Sequence, residues 1–249
     1  MRTQESPSTS KVEWLTVAGD PAIWQSIGLT LIDADAPGDE AAEITGDRAE
    51  EGRGAGGPGD GGLIPLIGTS IRVVSLDDAA TSPGLIGWAL SGDGVDSGDA
   101  WAADSVGIDG LPTQIVDPQV PTFAAHPLGA SALDHVVIAT NDLERTSGAI
   151  AAATGCELKR VRDLGAMRQG FHRIGRGGLI VELVERADAP SGPASFWGLV
   201  LIVDDIDAAC ELIGTDRVST PKDAVQPGRR IATIRSEVGL GLPVALMTA

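Results

Sequence analysis

The second half of this 249-residue chain writes the same supersecondary unit twice, and an internal repeat of that kind restricts the possible folds more than any single motif does. The first copy opens with Leu133–Thr140 (LDHVVIAT), a β-branched run bounded by polar residues that predicts a strand. Asn141 is placed to cap a helix, with Glu144 three residues later as its capping-box partner. The helix is expected over Asp142–Thr154 and is ended by Gly155. Strands are then expected over Cys156–Arg162, Arg168–Ile174 and Leu179–Val184, the last two joined by the glycine-rich turn Gly175–Gly178. The order is strand, helix, strand, strand, strand.

The second copy follows the same order. Trp197–Val203 predicts a strand and Asp204–Ile213 a helix. Arg217–Ser219, Arg229–Ser236 and Pro243–Thr248 supply three further strands, with Gly239–Gly241 between the last two. One such unit leaves a face of its sheet uncovered, and pairing two covers it. The expected class is therefore α+β: tandem βαβββ modules forming curved mixed sheets, with the helices on the outer face.

The first half carries a fainter form of the same order. Val12–Val17 and Leu29–Asp33 predict strands around a short helix at Asp20–Ile27. Ile64–Ser75, Leu85–Leu90 and Leu111–Val116 hold further strand material, and Leu85–Leu90 parallels Trp197–Val203. Trp14, Trp24, Trp88 and Trp197 fall in strands or helices and are expected mostly in the core; on that parallel Trp88 and Trp197 occupy equivalent repeat positions, where the alternative is that they line two pockets. Trp101, in a polar stretch, is expected to act as a lid or interface residue. The polar residues 1–10 predict a flexible tail, and residues 34–62 an acidic, glycine-rich insertion. Its run from Gly52 to Gly62 lacks the Lys-Ser/Thr ending of a phosphate loop. Three prolines (Pro118, Pro121, Pro127) mark the boundary between halves, which divides the chain into residues 11–120 and 130–249.

The net charge of −17 is uneven. Residues 1–125 hold 5 basic and 20 acidic side chains, and residues 126–249 hold 13 and 15. An acidic chain with 3% aromatic residues and no tyrosine argues against nucleic acid or an anionic membrane as partner. No apolar run is long enough to span a bilayer, and the N-terminus lacks the apolar core of a secretory signal, so the expected location is the cytoplasm. Cys156 and Cys210 lack metal-type spacing and are expected as buried reduced thiols. Abundant Ala, Gly, Asp and Arg with few Lys suggest a bacterial gene of high GC content.

Four stretches resemble the vicinal oxygen chelate superfamily, which includes glyoxalase I, bleomycin-resistance proteins and extradiol dioxygenases. They are Leu133-Asp134-His135-Val136-Val137-Ile138, Asn141-Asp142-Leu143-Glu144, Ile180-Val181-Glu182-Leu183 and Leu201-Ile202-Val203-Asp204-Asp205-Ile206-Asp207. The resemblance covers the second half, as a glyoxalase-like domain of two modules, and extends weakly to residues 11–120 as a degenerate copy. It implies a divalent metal held by one ligand from the first strand and one from the last strand of each module. His135 and Glu182 match those positions in the first module. Strand alternation puts His135 with Leu133, Val137 and Ala139, and Glu182 with Ile180 and Val184. Imidazole and carboxylate suit Zn, Mn, Fe or Ni. The second module offers Phe196-Trp197-Gly198 and Val244-Ala245-Leu246-Met247 at the matching places, none of them a ligand of that kind. Gln169, His172 and His126 are the nearest further donors by type.

Two readings of the site stay open at this level, beside a third in which the first half has become a structural or interaction module. One is a metal-dependent lyase, isomerase or dioxygenase-type enzyme on a small oxygenated metabolite, with His135 and Glu182 as ligands or as a general acid/base pair. The other is a metal-free protein that binds a small molecule, with Trp197, Arg168, His172, Gln169 and Arg230 among the contacts. The arginines, including Arg160, Arg162, Arg173, Arg176 and Arg229, serve either an anionic ligand or ion pairs with the acidic first half. A chain of this kind is expected as a monomer or a homodimer.

Overall fold

The computed structural model describes residues 10–33, 61–76, 82–92, 107–186 and 191–249. Trp101, the tail and nearly all of the acidic insertion lie outside the described residues. The first half contributes β1 (Lys11–Ala18), α1 (Pro21–Ser26), β2 (Gly62–Ile64), β3 (Ser70–Val74), β4 (Gly84–Ser91) and β5 (Thr113–Ile115). The second contributes β6 (Ala130–Thr140), α2 (Leu143–Thr154), β7 (Arg160–Asp163), β8 (Met167–Arg173) and β9 (Ile180–Arg186). Its second module runs β10 (Ser195–Val203), α3 (Ile206–Ile213), β11 (Lys222–Asp223), β12 (Arg230–Thr233) and β13 (Val244–Thr248). The result is a mixed α+β fold with two sheets among the described residues, ordered β2-β3-β1-β4-β5 and β11-β12-β13-β10-β6-β9-β8-β7.

Alternation along β6 and β9 decides what each face of the larger sheet does. Val136, Ile138, Val181 and Leu183 are fully buried, and α2 packs across β8 and β9 with Leu143 and Ile150 buried. Each such side chain contributes roughly 1.5–3 kcal/mol relative to exposure. The opposite face carries His135, Val137, Ala139, Glu182 and Val184 and remains free of helices, so it is available as a pocket. α3 covers the second module in the same way, against β12 and β13.

The helix boundaries have local causes. Asp142, with extended φ −151° and ψ 98°, caps α2 by accepting the Arg145 N–H at 2.9 Å. The expected cap, Asn141, instead accepts from the Arg145 guanidinium at 3.1 Å. Gly155 ends α2 in the left-handed region at φ 66°, where a Cβ would be strained. Asp205 caps α3 by accepting from the N–H groups of Asp207 and Ala208.

Some expected strands are shorter or displaced. Cys156–Arg162 narrows to β7, since Cys156 follows the helix end and its N–H is bound by Thr154 Oγ1. Arg217–Ser219 forms one bridge, Val218 with Ile234, and the outer strand lies at β11. Leu29–Asp33 likewise makes one bridge, Ile32 with Leu63. Both cysteines are free and buried.

The pairing scheme of the larger sheet recurs in the smaller. β6 pairs parallel to β9 and antiparallel to β10, which pairs parallel to β13. β1 pairs parallel to β3 and antiparallel to β4, which pairs parallel to β5. The bulges match as well. Asp134 and Glu13 are each the extra residue of a bulge in the leading strand, and Trp197 and Ile86 are each the extra residue of a bulge in the strand beside it. Leu199 donates its N–H to Pro243 O, and Trp88 donates its N–H to Pro112 O. Trp88 therefore corresponds to Leu199, and Trp197 to Ile86, not to Trp88. Trp88 is buried in the core, whereas Trp197 is 54% exposed.

One continuous apolar core runs through both halves. Trp88 meets Phe196 edge-on, with ring centroids 5.4 Å apart. Ile67 bridges to Ala132. Asp109, at φ 50°, accepts from Arg145 Nε at 2.8 Å and Thr146 Oγ1 at 2.5 Å, which ties the first half to the start of α2.

Candidate functional site

β6, β8 and β9 bring three of the expected site residues into contact. His135 Nε2 lies 3.3 Å from Glu182 Oε2. Gln169 donates its amide N–H to Glu182 Oε1 at 2.6 Å. Residue alternation on β8 puts Met167 and Gln169 on this face. Asp134, not expected as a site residue, and Arg229, one of the arginines expected at a ligand or an ion pair, complete the polar network. The bulge turns Asp134 toward its neighbour, so that Asp134 Oδ2 accepts from His135 Nδ1 at 2.7 Å. Arg229, just before β12, donates to Asp134 Oδ1 at 2.8 Å.

Electrostatics drives the two carboxyls apart. Burial alone would raise Asp134, but hydrogen bonds from His135 and Arg229 outweigh it and hold the group below the usual carboxylate value. Burial pushes Glu182 up, only partly offset by the charges of His135 and Arg162. Asp134 holds His135 through Nδ1, which turns Nε2 toward Glu182, the carboxyl that burial raises. Titratable pairs split in this way are suited to proton transfer.

The pocket around this corner has a volume of about 560 Å³. The rest of its wall is mainly apolar, with Val137, Ala139, Val184, Val200, Ile231, Val244, Ala245 and Trp197, but it also carries Thr233 and, beyond Val184 on β9, Arg186. A few polar groups in a mainly apolar space are the common form of a small-molecule site.

The other expected contacts lie elsewhere. His172 points to the helix face, where Nδ1 donates to Cys156 O at 2.8 Å and Nε2 is 2.9 Å from Ser147 Oγ. Burial there depresses its pKa, so it packs as a neutral ring. Arg168 pairs with Glu144 and Glu185, and Arg230 with Asp207, on the outer surface. His126 pins the junction between halves, accepting from the Thr30 N–H and donating to Pro65 O. Among the described residues, Arg168, Arg229 and Arg230 pair with carboxylates of their own half, and Arg145 pairs with Asp109 of the first.

No protein-family profile matches the sequence, and no curated protein matches it. Solved structures do. A triply substituted 4-hydroxymandelate synthase from Streptomyces coelicolor superposes at a TM-score of 0.61 and 15% identity, over 98% of this chain and 93% of that one. A fusion of a xylose isomerase-like TIM barrel with 4-hydroxyphenylpyruvate dioxygenase gives 0.57 and 12%, over 100% of this chain and 51% of that one. The chain has the vicinal oxygen chelate fold. Methylmalonyl-CoA epimerase from Mycobacterium tuberculosis is similar to 51% of the chain at a TM-score of 0.42 and 21% identity.

The metal that the vicinal oxygen chelate resemblance implies can be tested against these residues. His135 Nε2 and Glu182 Oε2 are spaced as two ligands of one ion would be, since bonds of about 2.1 Å put tetrahedral ligand atoms roughly 3.4 Å apart. The second module supplies none: Val200, which pairs with His135 across the sheet, and Ala245 beside it are aliphatic. No three His, Cys, Asp or Glu side chains gather around one point among the described residues. The donors do not fit a four-ligand site.

Proposed function

We propose that residues 130–249 form a small-molecule-binding domain that works without a metal, and that residues 11–120 are its reduced copy. The occupant is a small oxygenated metabolite with a mainly apolar body. Its oxygen-bearing group meets His135 and Glu182, and its body lies against Val137, Val200, Ile231 and Ala245. The carrying observation is the second-module wall, which is mainly aliphatic with Thr233 among it and offers the pocket no imidazole or carboxylate. The repeated bulges and pairings support the reading of the first half.

His135 and Glu182 are also poised to move a proton on a bound ligand, with Asp134 and Arg229 holding His135 in position. The test is elemental analysis of the purified protein after incubation with Zn²⁺, Mn²⁺, Fe²⁺ and Ni²⁺, beside His135→Ala and Glu182→Ala. The expected result is no stoichiometric metal, together with binding of small apolar carbonyl compounds that Trp197 fluorescence reports. Near-stoichiometric metal lost in both variants would overturn the metal-free reading. It would favour a metal-dependent enzyme, with Gln169 Oε1, which is buried and lacks a hydrogen-bond partner, as a third donor.

A further inference from the structure

The first half holds a second cavity, of about 260 Å³, lined by Trp14, Arg72, Ser70, Leu63, Leu66 and Val120 among others. Its position in the repeat is informative. Leu15 pairs with Trp88 as Val136 pairs with Leu199, so Trp14 corresponds to His135. Thr16 pairs with Arg72 as Val137 pairs with Glu182, so Arg72 corresponds to Glu182. The imidazole–carboxylate corner of one half is thus an indole–guanidinium corner in the other, and its sign is reversed.

The local geometry says what this corner lacks. The Arg72 guanidinium lies over the Trp14 ring, 4.6 Å from its centroid. Arg72 Nε and Trp14 Nε1 are both buried N–H donors without an acceptor among the described residues. Buried donors are nearly always satisfied, and leaving one without an acceptor costs about 1–3 kcal/mol. The nearby bulge carboxylate, Glu13, does not fill the need, because it is bound by Lys11 at 2.6 Å and Ser91 at 2.5 Å. Asp33, the other acidic group of the cavity, already has an interaction of its own.

We propose that this cavity is a second ligand site, which takes a small carboxylate with a short apolar body. The carboxylate accepts from the Arg72 fork and from Trp14 Nε1, and the body lies against Leu63, Leu66 and Val120. A guanidinium fork matches two carboxylate oxygens at once, which water does not. The site is independent of His135 and Glu182.

The probe is benzoate, read by ¹⁵N NMR of the indole N–H groups, with the Trp14 resonance assigned by its loss in Trp14→Phe. The expected result is a saturable shift of that resonance with a dissociation constant of roughly millimolar or tighter. The midpoint should rise at least tenfold in Arg72→Gln and stay unchanged in Glu182→Gln. If Arg72→Gln does not fold, Arg72→Lys is read instead; it keeps the charge without the fork and is expected to bind at least threefold more weakly. A Trp14 resonance that does not saturate, or a midpoint the same in the Arg72 variant, would overturn the site. Inorganic phosphate titrating as tightly as benzoate would overturn the apolar body.

Discussion

At the residue scale the site turns on two carboxyls of opposite tendency, and stability should report them with opposite signs. Glu182 is raised above its ordinary 4.5, so the folded state binds its proton more tightly than the unfolded chain does. Its ionisation therefore costs stability as pH rises above 4.5. Glu182→Gln should melt about 2–4 °C higher than the parent at pH 7.5, as expected for roughly 1 kcal/mol, and the gain should vanish near pH 4. Asp134 lies below its ordinary 3.8, so its contribution is complete above that value and is lost as pH falls through the folded value. Asp134→Asn should cost about 1–3 kcal/mol at pH 7.5, shrinking under acid. Urea denaturation across pH 2–8 checks both, and parallel pH profiles for the two variants would refute the assignment. Part of this corner was legible. Alternation alone joined His135 to Glu182, and the same rule applied to β8 would have separated Gln169 from Arg168 and His172. Asp134 was not legible, because a bulge breaks the alternation that would have turned it away. Arg229 stands among several arginines open to a ligand or an ion pair, and nothing in the sequence ties it to Asp134.

At the scale of elements, the two halves can be compared at one repeated contact. A Cβ on Gly198 would lie 2.6 Å from Pro243 O, and one on Gly87 3.1 Å from Pro112 O. Backbone oxygen cannot step aside, so Gly198→Ala must push β10 away from β13, at the wall of the pocket. The expected cost is about 2–3 kcal/mol, as for overpacking elsewhere, with ligand binding weakened. Gly87→Ala should cost less, and thermal melts of the pair give the comparison; equal costs would mean that the strands relax alike. The caps supply a second contrast. Asp142→Ala should lose about 1 kcal/mol, and Asn141→Ala less, which the same melts would detect. Strands with a strong period and a capped helix between them were readable to within a few residues. Asn141 against Asp142 was not, since both residue types cap and only the backbone shows which side chain meets the Arg145 N–H. The Trp88–Trp197 parallel is off by two residues, because matching tryptophan to tryptophan ignores the strand pairing, and only the pairing shows that Ile86 and Trp197 share the bulge position.

At the scale of the molecule, charge and cohesion separate. The acid excess of the first half sits mostly outside the described residues; within them that half retains Glu13, Asp20, Asp33, Asp109 and Asp117 against Lys11 and Arg72. Among the described residues the junction is built from apolar contacts, Trp88 with Phe196 and the shared core, with the Asp109–Arg145 ion pair as a latch. Two consequences follow from that build. Hydrophobic contact is not screened by salt, whereas charge docking is lost beyond a Debye length of about 10 Å at 0.1 M. The halves should therefore melt in one calorimetric transition whose midpoint falls by no more than about 2 °C between 50 mM and 500 mM NaCl. Asp109→Ala removes the acceptor of Arg145 and Thr146 and sets an alanine at φ 50°, so it should cost about 1–3 kcal/mol while leaving a single transition. Two resolved transitions in the parent would mean that the shared core does not couple the halves. A large drop with salt would mean that the acidic half is held by its charge after all, which the short list of ion pairs across the junction argues against.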